Sequence, residues 1–319
     1  MDPFYHCYRH HRFTAPAAEV VNRANGIIGQ MRKDGYILTL RQLYYQFVSN
    51  NWLENSEKEY KRLGRIVTRA REAGVMDWYG IEDRGRDSRK VPVNDSEEDL
   101  LRRLQYQLRL DMWSVQDEYL EVWVEKSALE GVIQRPSNRF RVTYMACKGY
   151  LSTSEAWRAG QRFERALADG KHCTLIHLAD HDPSGLNMTQ DNDDRVALFA
   201  KSQNIPVERI ALNFDQVQKY NPPPNPAKQT DSRYAEYKRQ FGSESWELDA
   251  LKPAVLDELI ASKITDYIDF GLWNAMKEEE ERRQKELAHL SQNYESISHF
   301  LRHMRAGTPA ISRLMESRI

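Results

Sequence analysis

The chain has 319 residues, of which 40% are hydrophobic and 29% charged, and its formal net charge is -1. This composition is typical of a soluble globular protein, and the length favours two domains over one. No apolar run is long enough to cross a bilayer, no signal-peptide pattern is present, and the three cysteines are scattered without CxxC spacing. We therefore expect a cytoplasmic protein without a disulfide framework.

The first part of the chain predicts a helix followed by a helix-turn-helix. Apolar residues recur at helical spacing over residues 15–33. Thr39 with Gln42, and Ser56 with Glu59, then form two capping-box pairs on either side of a turn. A helix is expected to begin after each pair.

The segment "VMDWYGIEDRGR" (75–86) is short, aromatic and broken by glycine, which favours a hairpin wing. Residues 1–94 are therefore predicted to be a winged-helix domain with an N-terminal extension, and 57–72 to be the helix presented to double-stranded DNA. This helix contains a run, residues 58–71, with six basic side chains and one acidic one. The residues expected to contact DNA phosphates are Lys58, Lys61, Arg62, Arg65 and Arg69.

The pattern changes after a predicted helical connector at 95–115. Helix-like stretches now alternate with β-rich runs, which favours an α/β domain with a mainly parallel sheet over residues 116–250. Two of these helices are expected to begin with capping boxes, Ser127 with Glu130 and Ser152 with Glu155. Residues 251–319 are predicted to be a helical C-terminal region. The predicted strands are 119–125, 140–146, 173–179 and 209–214.

Acidic side chains follow two of these strands, at the edge where open α/β sheets bind ligands. Glu125 follows the first strand, and Asp180 and Asp182 follow the third. Residues i and i+2 of an extended segment point the same way, so the two aspartates can share a cation. Hard oxygen ligands in this position suit Mg²⁺. The alternative is that these acids cap helices or pair with Lys126 and Lys148.

Two further segments contain candidate ligands. "WELDAL" (246–251) is a possible late strand, and its Glu247 is a further acid that could lie near the cluster. "HCYRHH" (6–11) carries side chains that can bind zinc, but the sequence has no second half-site to complete such a centre. The segment is not predicted to be a zinc site.

Two adjacent tyrosines in "TLRQLYYQF" (39–47) have different predicted environments. Tyr44 belongs to an apolar stripe that faces the domain core, whereas Tyr45 lies about 100° around the helix, on the same flank as Arg41. Tyr45 is thus predicted to be exposed beside a guanidinium group. Taken alone, such a tyrosine is typical of a DNA-phosphate contact. The stripe comprises Leu40, Leu43, Tyr44 and Phe47.

"TLRQLYYQF" resembles the RxxYY motif of the topoisomerase VI A subunit and the related meiotic double-strand-break proteins. "WVEKSAL" (123–129) and "LADHDPSG" (178–185) are similar to the Glu and DxD motifs of the Toprim domain in that family, and "CKGYLSTSEAW" (147–157) resembles the segment between them. The order of winged helix and then Toprim also matches, over roughly residues 15–250. The chain is shorter than typical A subunits and carries no ATPase of its own, so it looks like an orphan A-subunit-like protein of prokaryotes or mobile elements.

The resemblance implies Mg²⁺-dependent cleavage of duplex DNA. Tyr45 would attack a phosphodiester and leave a 5′-phosphotyrosyl end, with Arg41 and Glu125 as further catalytic residues. Glu125, Asp180 and Asp182 would hold the metal ion. It also implies a homodimer, in which the tyrosine of one protomer works at the metal site of its partner. A further partner protein, an ATPase or another, is implied as well. The alternatives are a hydrolytic Toprim nuclease and a non-catalytic DNA-binding adaptor.

Overall fold

The computed structural model describes residues 5–82, 91 and 93–307. The chain divides into two compact units. One comprises Met1–Asp87 and Asp117–Ile268, and the other comprises Ser88–Gln116 and Asp269–Ile319. None of the helices within the described ranges is long and apolar enough to span a membrane.

The first unit begins with three helices at the predicted positions. They are α1 (Ala15–Lys33), α2 (Leu40–Ser49) and α3 (Glu57–Glu72). The capping box before α2 is confirmed: the hydroxyl of Thr39 accepts from the N–H of Gln42, and the Gln42 side chain accepts from the N–H of Thr39 at 2.8 Å. The apolar sides of the three helices form one core.

The hairpin predicted after α3 is not formed by the described residues of that segment. Trp78–Gly80 is a 3₁₀ turn, and Ile81 makes a single parallel bridge to Leu38. Asp77 starts the turn, because its side chain accepts from the N–H of Tyr79 at 2.8 Å. The remainder of the predicted wing, residues 83–86, lies outside the described residues.

A four-stranded parallel sheet follows in the same unit, as the β-rich runs predict. The strand order is β2-β1-β3-β4, and helices cover both faces: α5 and α10 pack on one, α6 and α7 on the other. The elements of this part are β1 (Glu118–Val124), α5 (Glu130–Phe140), β2 (Thr143–Ala146), α6 (Thr153–Ala168), β3 (His172–Leu178), α7 (Pro183–Ala200), β4 (Val207–Ala211), α8 (Phe214–Tyr220), β5 (Asn225–Pro226), α9 (Tyr234–Phe241), β6 (Glu244–Ser245) and α10 (Pro253–Thr265).

Three local predictions in this part can be compared with the structure. Ser152 caps α6 as expected, since its hydroxyl accepts from the N–H of Glu155 at 3.2 Å. Ser127 does not cap a helix, because Ser127–Leu129 is itself a 3₁₀ turn that leads into α5. The late strand predicted at 246–251 is also wrong: Trp246 makes an isolated antiparallel bridge to His181, and a 3₁₀ turn follows.

The second unit is helical in its described part. It contains α4 (Glu97–Gln107), α11 (Phe270–Gln292) and α12 (Tyr294–Gly307). The end of α4 is held to α11, because the carboxylate of Glu280 accepts from the N–H of Leu110 at 2.6 Å and the Gln284 amide donates to the carbonyl of Leu108 at 3.0 Å. Helix α4 lies within the predicted connector at 95–115, and α11 and α12 lie within the region 251–319 that was predicted to be helical.

Candidate functional site

The strand order creates a switch point between β1 and β3. From β1 the chain passes through α5 to β2 on one side, then returns through α6 to β3 on the other side. Open α/β sheets bind ligands at such a point, beyond the carboxyl ends of the strands. Glu125 and Asp180 follow these two strands, and the carboxylate of Glu125 accepts from the backbone N–H of Asp180 at 2.9 Å. The structure thus brings the two acids together.

A cavity of about 600 Å³ opens at this edge of the first unit. It is lined both by residues of α2 and by residues that follow the strands of the sheet. Its lining includes Arg41, Tyr45, Glu125, Asp180, Asp182 and Glu247. The predicted catalytic and metal-binding residues of a single chain therefore face one space.

Asp180 is buried at the back of this cavity and both of its oxygens are engaged. One accepts from the N–H of Leu248 at 2.8 Å, and the other lies 2.7 Å from the ammonium of Lys126. Burial raises the pKa of Asp180 to about 7 although Lys126 opposes the shift. Burial likewise raises the pKa of Glu125, and the nearby carboxylate of Asp182 adds to that increase.

Asp182 is the N-cap of α7. One of its oxygens accepts from the N–H of Gly185 at 2.6 Å. Among the described residues, the second carboxylate oxygens of Glu125 and Asp182 accept no hydrogen bond. Within the same residues, no group of three or more His, Cys, Asp and Glu side chains is arranged to hold a metal ion. Two contacts of the alternative interpretation occur, since Asp182 caps a helix and Asp180 pairs with Lys126, but the pairing expected with Lys148 is not among the described contacts.

Two cations bind the acids of segment 246–251 to the rest of the site. The ammonium of Lys126 lies 2.7 Å from Glu247 and 3.4 Å from Asp249. Arg41 pairs with both acids, with its Nε 2.8 Å from Asp249. Burial alone would raise the pKa of Glu247, but Lys126 and Arg41 outweigh it and hold this pKa at about 2. Glu247 therefore does lie in the cluster.

The prediction that Tyr45 is exposed on the flank of α2 is wrong. Tyr44 and Tyr45 are only 4% and 3% exposed. Tyr45 is covered by residues from distant parts of the chain, including Asn225 in β5, and the Arg41 guanidinium lies 5.8 Å from its ring centroid. Burial, and then the charges of Glu247 and Asp249, raise the pKa of the Tyr45 phenol. Its hydroxyl is therefore protonated at neutral pH.

Tyr44 belongs to the core, as predicted, and its hydroxyl fixes the turn between α2 and α3. It accepts from the N–H of Ser56 at 2.7 Å and lies 3.0 Å from the carbonyl of Glu54. Ser56 in turn caps α3 through the N–H of Glu59. The two adjacent tyrosines therefore differ in the position of their hydroxyls, not in burial.

Arg209 on β4 was not identified from sequence, yet it braces the loop that carries both aspartates. Its guanidinium donates to the carbonyls of Ala179 at 2.9 Å, Asp180 at 2.6 Å and Gly185 at 2.9 Å. An arginine at the start of a predicted strand gave no signal of this role.

Between the aspartates, His181 lies among aromatic rings, with Nδ1 3.0 Å from the hydroxyl of Tyr237.

The exposed side of α3 lines an open groove of about 1100 Å³. Lys58, Lys61, Arg65 and Arg69 line it, while Arg62 is absent from the lining and pairs with Glu59 at 2.8 Å. Arg9 and His11 of the N-terminal segment also line the groove.

The groove and the cavity share two lining residues, Glu57 and Tyr60 at the start of α3. In the "HCYRHH" segment, His11 pairs with Glu72 at 2.6 Å and Cys7 lies 3.8 Å from His10. His11 therefore contacts the end of α3.

No protein-family model matches the sequence, and a search of curated proteins also finds no match.

Proposed function

We propose that this protein is a Mg²⁺-dependent enzyme that breaks duplex DNA, with a winged-helix part that holds the duplex and a Toprim part that carries the carboxylates. One observation carries the proposal: Tyr45, Arg41 and the sheet-edge acids line one cavity, which adjoins a basic groove through Glu57 and Tyr60. The resemblance of "RQLYY", "VEK" and "DHD" to family motifs supports the same reading.

In the proposed reaction the phenolic oxygen of Tyr45 forms a bond to the phosphorus of a DNA phosphodiester. The bond from phosphorus to the 3′ oxygen breaks, the strand keeps a 3′-hydroxyl that receives a proton, and the 5′ end stays linked to the tyrosine. Because the Tyr45 phenol is protonated at neutral pH, the step needs an acceptor for its proton. Glu125 lines the same cavity and is the candidate for proton transfer.

The chemistry of the donor set fits Mg²⁺. Carboxylate oxygens are its usual protein ligands, and a site with one or two carboxylates, waters and a substrate phosphate suffices. Of the predicted ligands Glu125, Asp180 and Asp182, the first and the last each keep an oxygen without a hydrogen bond among the described residues. A bound Mg²⁺ would offset the charge that develops on the phosphate.

The burial of Tyr45 favours a second candidate, hydrolysis of the phosphodiester by water. A phenol that is 3% exposed in the free chain must become accessible before it can attack DNA. If it stays buried, the same acids and the same groove would serve a nuclease. The third reading, a DNA-binding adaptor, predicts binding without breaks.

Cleavage of a duplex by tyrosines needs one tyrosine for each strand, so we propose a homodimer as the active form. The resemblance further implies that an ATPase partner takes part and that each tyrosine works at the partner's metal site, whereas within one chain Tyr45 already lines the same cavity as Glu125. Cross-linking of the chain in the presence and absence of duplex DNA checks the dimer.

The test of the function is incubation with supercoiled plasmid and Mg²⁺, followed by denaturation with and without protease. Transesterification leaves protein attached to 5′ ends, so linear DNA enters a gel only after proteolysis. Hydrolysis leaves free 5′-phosphates that need no protease. Tyr45→Phe removes the breaks in the first case and leaves them in the second. If the wild-type protein with Mg²⁺ binds the plasmid but makes no break, the adaptor reading is favoured.

A further inference from the structure

Lys126 follows Glu125 directly, and its ammonium lies inside the carboxylate cluster. Its Nζ is 2.7 Å from Asp180, 2.7 Å from Glu247 and 3.4 Å from Asp249. These three acids come from the end of β3 and from segment 246–251, so a single lysine joins two distant parts of the chain. Only 20% of its side chain is exposed.

The three acids do not depend on Lys126 equally. Arg41 also pairs with Glu247 and Asp249, whereas Lys126 is the one cationic side chain paired with the carboxylate of Asp180 in the part of the chain that the structure describes. Carboxylates that are buried together repel one another unless a cation lies among them. Lys126 therefore occupies the place where a metal ion would otherwise have to neutralise Asp180.

We propose that the ammonium of Lys126 is a built-in cation of this centre: it holds Asp180, Glu247 and Asp249, and it leaves Glu125 and Asp182 as the protein carboxylates that bind a single Mg²⁺. This inference rests on the proposed function, which supplies the Mg²⁺ ion. It assigns Asp180 to the lysine instead of the metal, although the DxD pattern places it among the metal ligands. Lys126 is thus a positioning residue for the acids around the reacting phosphate.

Binding of Mn²⁺, used as a probe for Mg²⁺, tests this assignment on the full chain without DNA. Titration calorimetry gives the number of ions bound and the affinity. Glu125→Gln and Asp182→Asn are expected to weaken binding by at least about tenfold. Asp180→Asn is expected to leave it unchanged, because that carboxylate belongs to Lys126. Loss of Mn²⁺ binding in Asp180→Asn comparable to that in Glu125→Gln would overturn the proposal.

Lys126→Met keeps the length of the side chain and removes its charge. It leaves Asp180 without a paired cation, while Glu247 and Asp249 keep Arg41. The variant is therefore expected to bind an additional Mn²⁺ equivalent at Asp180 that the wild type does not bind. Lys126→Arg keeps the charge and should behave as the wild type. Lys201→Met, which removes an exposed lysine paired with Glu164 at 2.8 Å, is the matched control for charge.

Three outcomes separate this inference from the proposed function. A folded Lys126→Met variant with the stoichiometry and affinity of the wild type would refute the role of Lys126. Binding by Lys126→Met when the wild type binds no Mn²⁺ would support that role and refute the Mg²⁺ site at Glu125 and Asp182. If Lys126→Met does not fold, the Mn²⁺ affinities of Asp180→Asn and Glu125→Gln decide whether Asp180 belongs to Lys126 or to the metal ion.

Discussion

Tyr44 and Tyr45 show how far adjacent hydroxyls can differ when both rings are buried. The Tyr44 hydroxyl bonds to backbone groups of residues 54–56, whereas Tyr45 lines the cavity with Arg41 beside its ring. Removing an oxygen therefore has different consequences at the two positions. The first oxygen supports the turn before α3, and the second belongs to a buried side chain that lines the cavity.

Tyr44→Phe should destabilise the fold by about 1–2 kcal/mol, because it leaves the N–H of Ser56 without its acceptor. Tyr45→Phe should change the free energy of unfolding less and should abolish cleavage under the transesterase proposal. Urea denaturation followed by circular dichroism, together with the plasmid assay, compares the two. If Tyr44→Phe proves the more stable of the pair, the assignment of the turn-supporting hydroxyl is wrong.

His177 lies on β3 and is fully buried, with its nitrogens 2.9 Å from Thr189 and 3.2 Å from Asn192. Burial, and then the charge of Arg209, lower the pKa of His177 to about 3. Its usual pKa of about 6.5 applies in the unfolded chain, so between these values the unfolded state binds the extra proton. This group therefore supports the fold fully above pH about 6.5 and progressively less as the pH falls toward about 3.

We expect His177→Gln to flatten the dependence of stability on pH in that window. One proton contributes a slope of up to about 1.4 kcal/mol per pH unit. Chemical denaturation of both proteins at several pH values between 4 and 7 measures the difference in slope. Parallel curves for the wild type and the variant would show that His177 is not the group responsible.

Helix α3 has two functional sides. Its apolar side packs in the core through Leu63, Val67 and Ala70, and the opposite side lines the basic groove. The spacing of Lys58, Lys61, Arg65 and Arg69 places them along one face, because residues three and four apart are neighbours on a helix. Arg62 is next to that face by spacing, but its guanidinium pairs with Glu59 and does not line the groove.

Arg65→Ala should weaken duplex binding for all sequences about equally and reduce the slope of log affinity against log salt by roughly 0.9, the value for one phosphate contact. Arg62→Ala is the matched control, since it removes the same side chain from the same helix outside the groove. Fluorescence anisotropy with a labelled duplex at several salt concentrations measures both. Equal effects of the two substitutions would show that the groove is not the DNA path.

At the scale of the whole molecule, the sequence predicted the parts that depend on local pattern. Periodicity and capping residues located α1 to α3 and the four parallel strands, and the strand ends placed Glu125 and Asp180 together. Contacts between distant segments could not be predicted from local sequence pattern. The Tyr45 side chain meets Asn225 of β5, and the carboxylate of Asp180 is engaged by Lys126 and by segment 246–251. No spacing within one segment encodes such contacts.

The second unit brings together helices from distant parts of the sequence, and this leads to a prediction about its stability. Helix α4 has 11 residues and no buried side chain, whereas the buried clusters around α1–α3 and around β1 and β3 contain residues of the first unit alone. An isolated helix shorter than about 12–15 residues is marginal in water. Removing Asp269–Ile319 also removes Glu280 and Gln284, which hold the end of α4.

We therefore expect a chain ending at Ile268 to lose α4 as a helix and to keep the sheet and the cavity of the first unit. Hydrogen exchange followed by mass spectrometry should show residues 97–107 without protection, while β1 and β3 exchange as slowly as in the full chain. The matched control is Gln284→Ala in the full chain, which removes one hydrogen bond to the end of α4 and should leave most of its protection. Protection of α4 in the shortened chain would show that α11 does not stabilise it, and faster exchange in β3 would show that the first unit depends on the deleted helices.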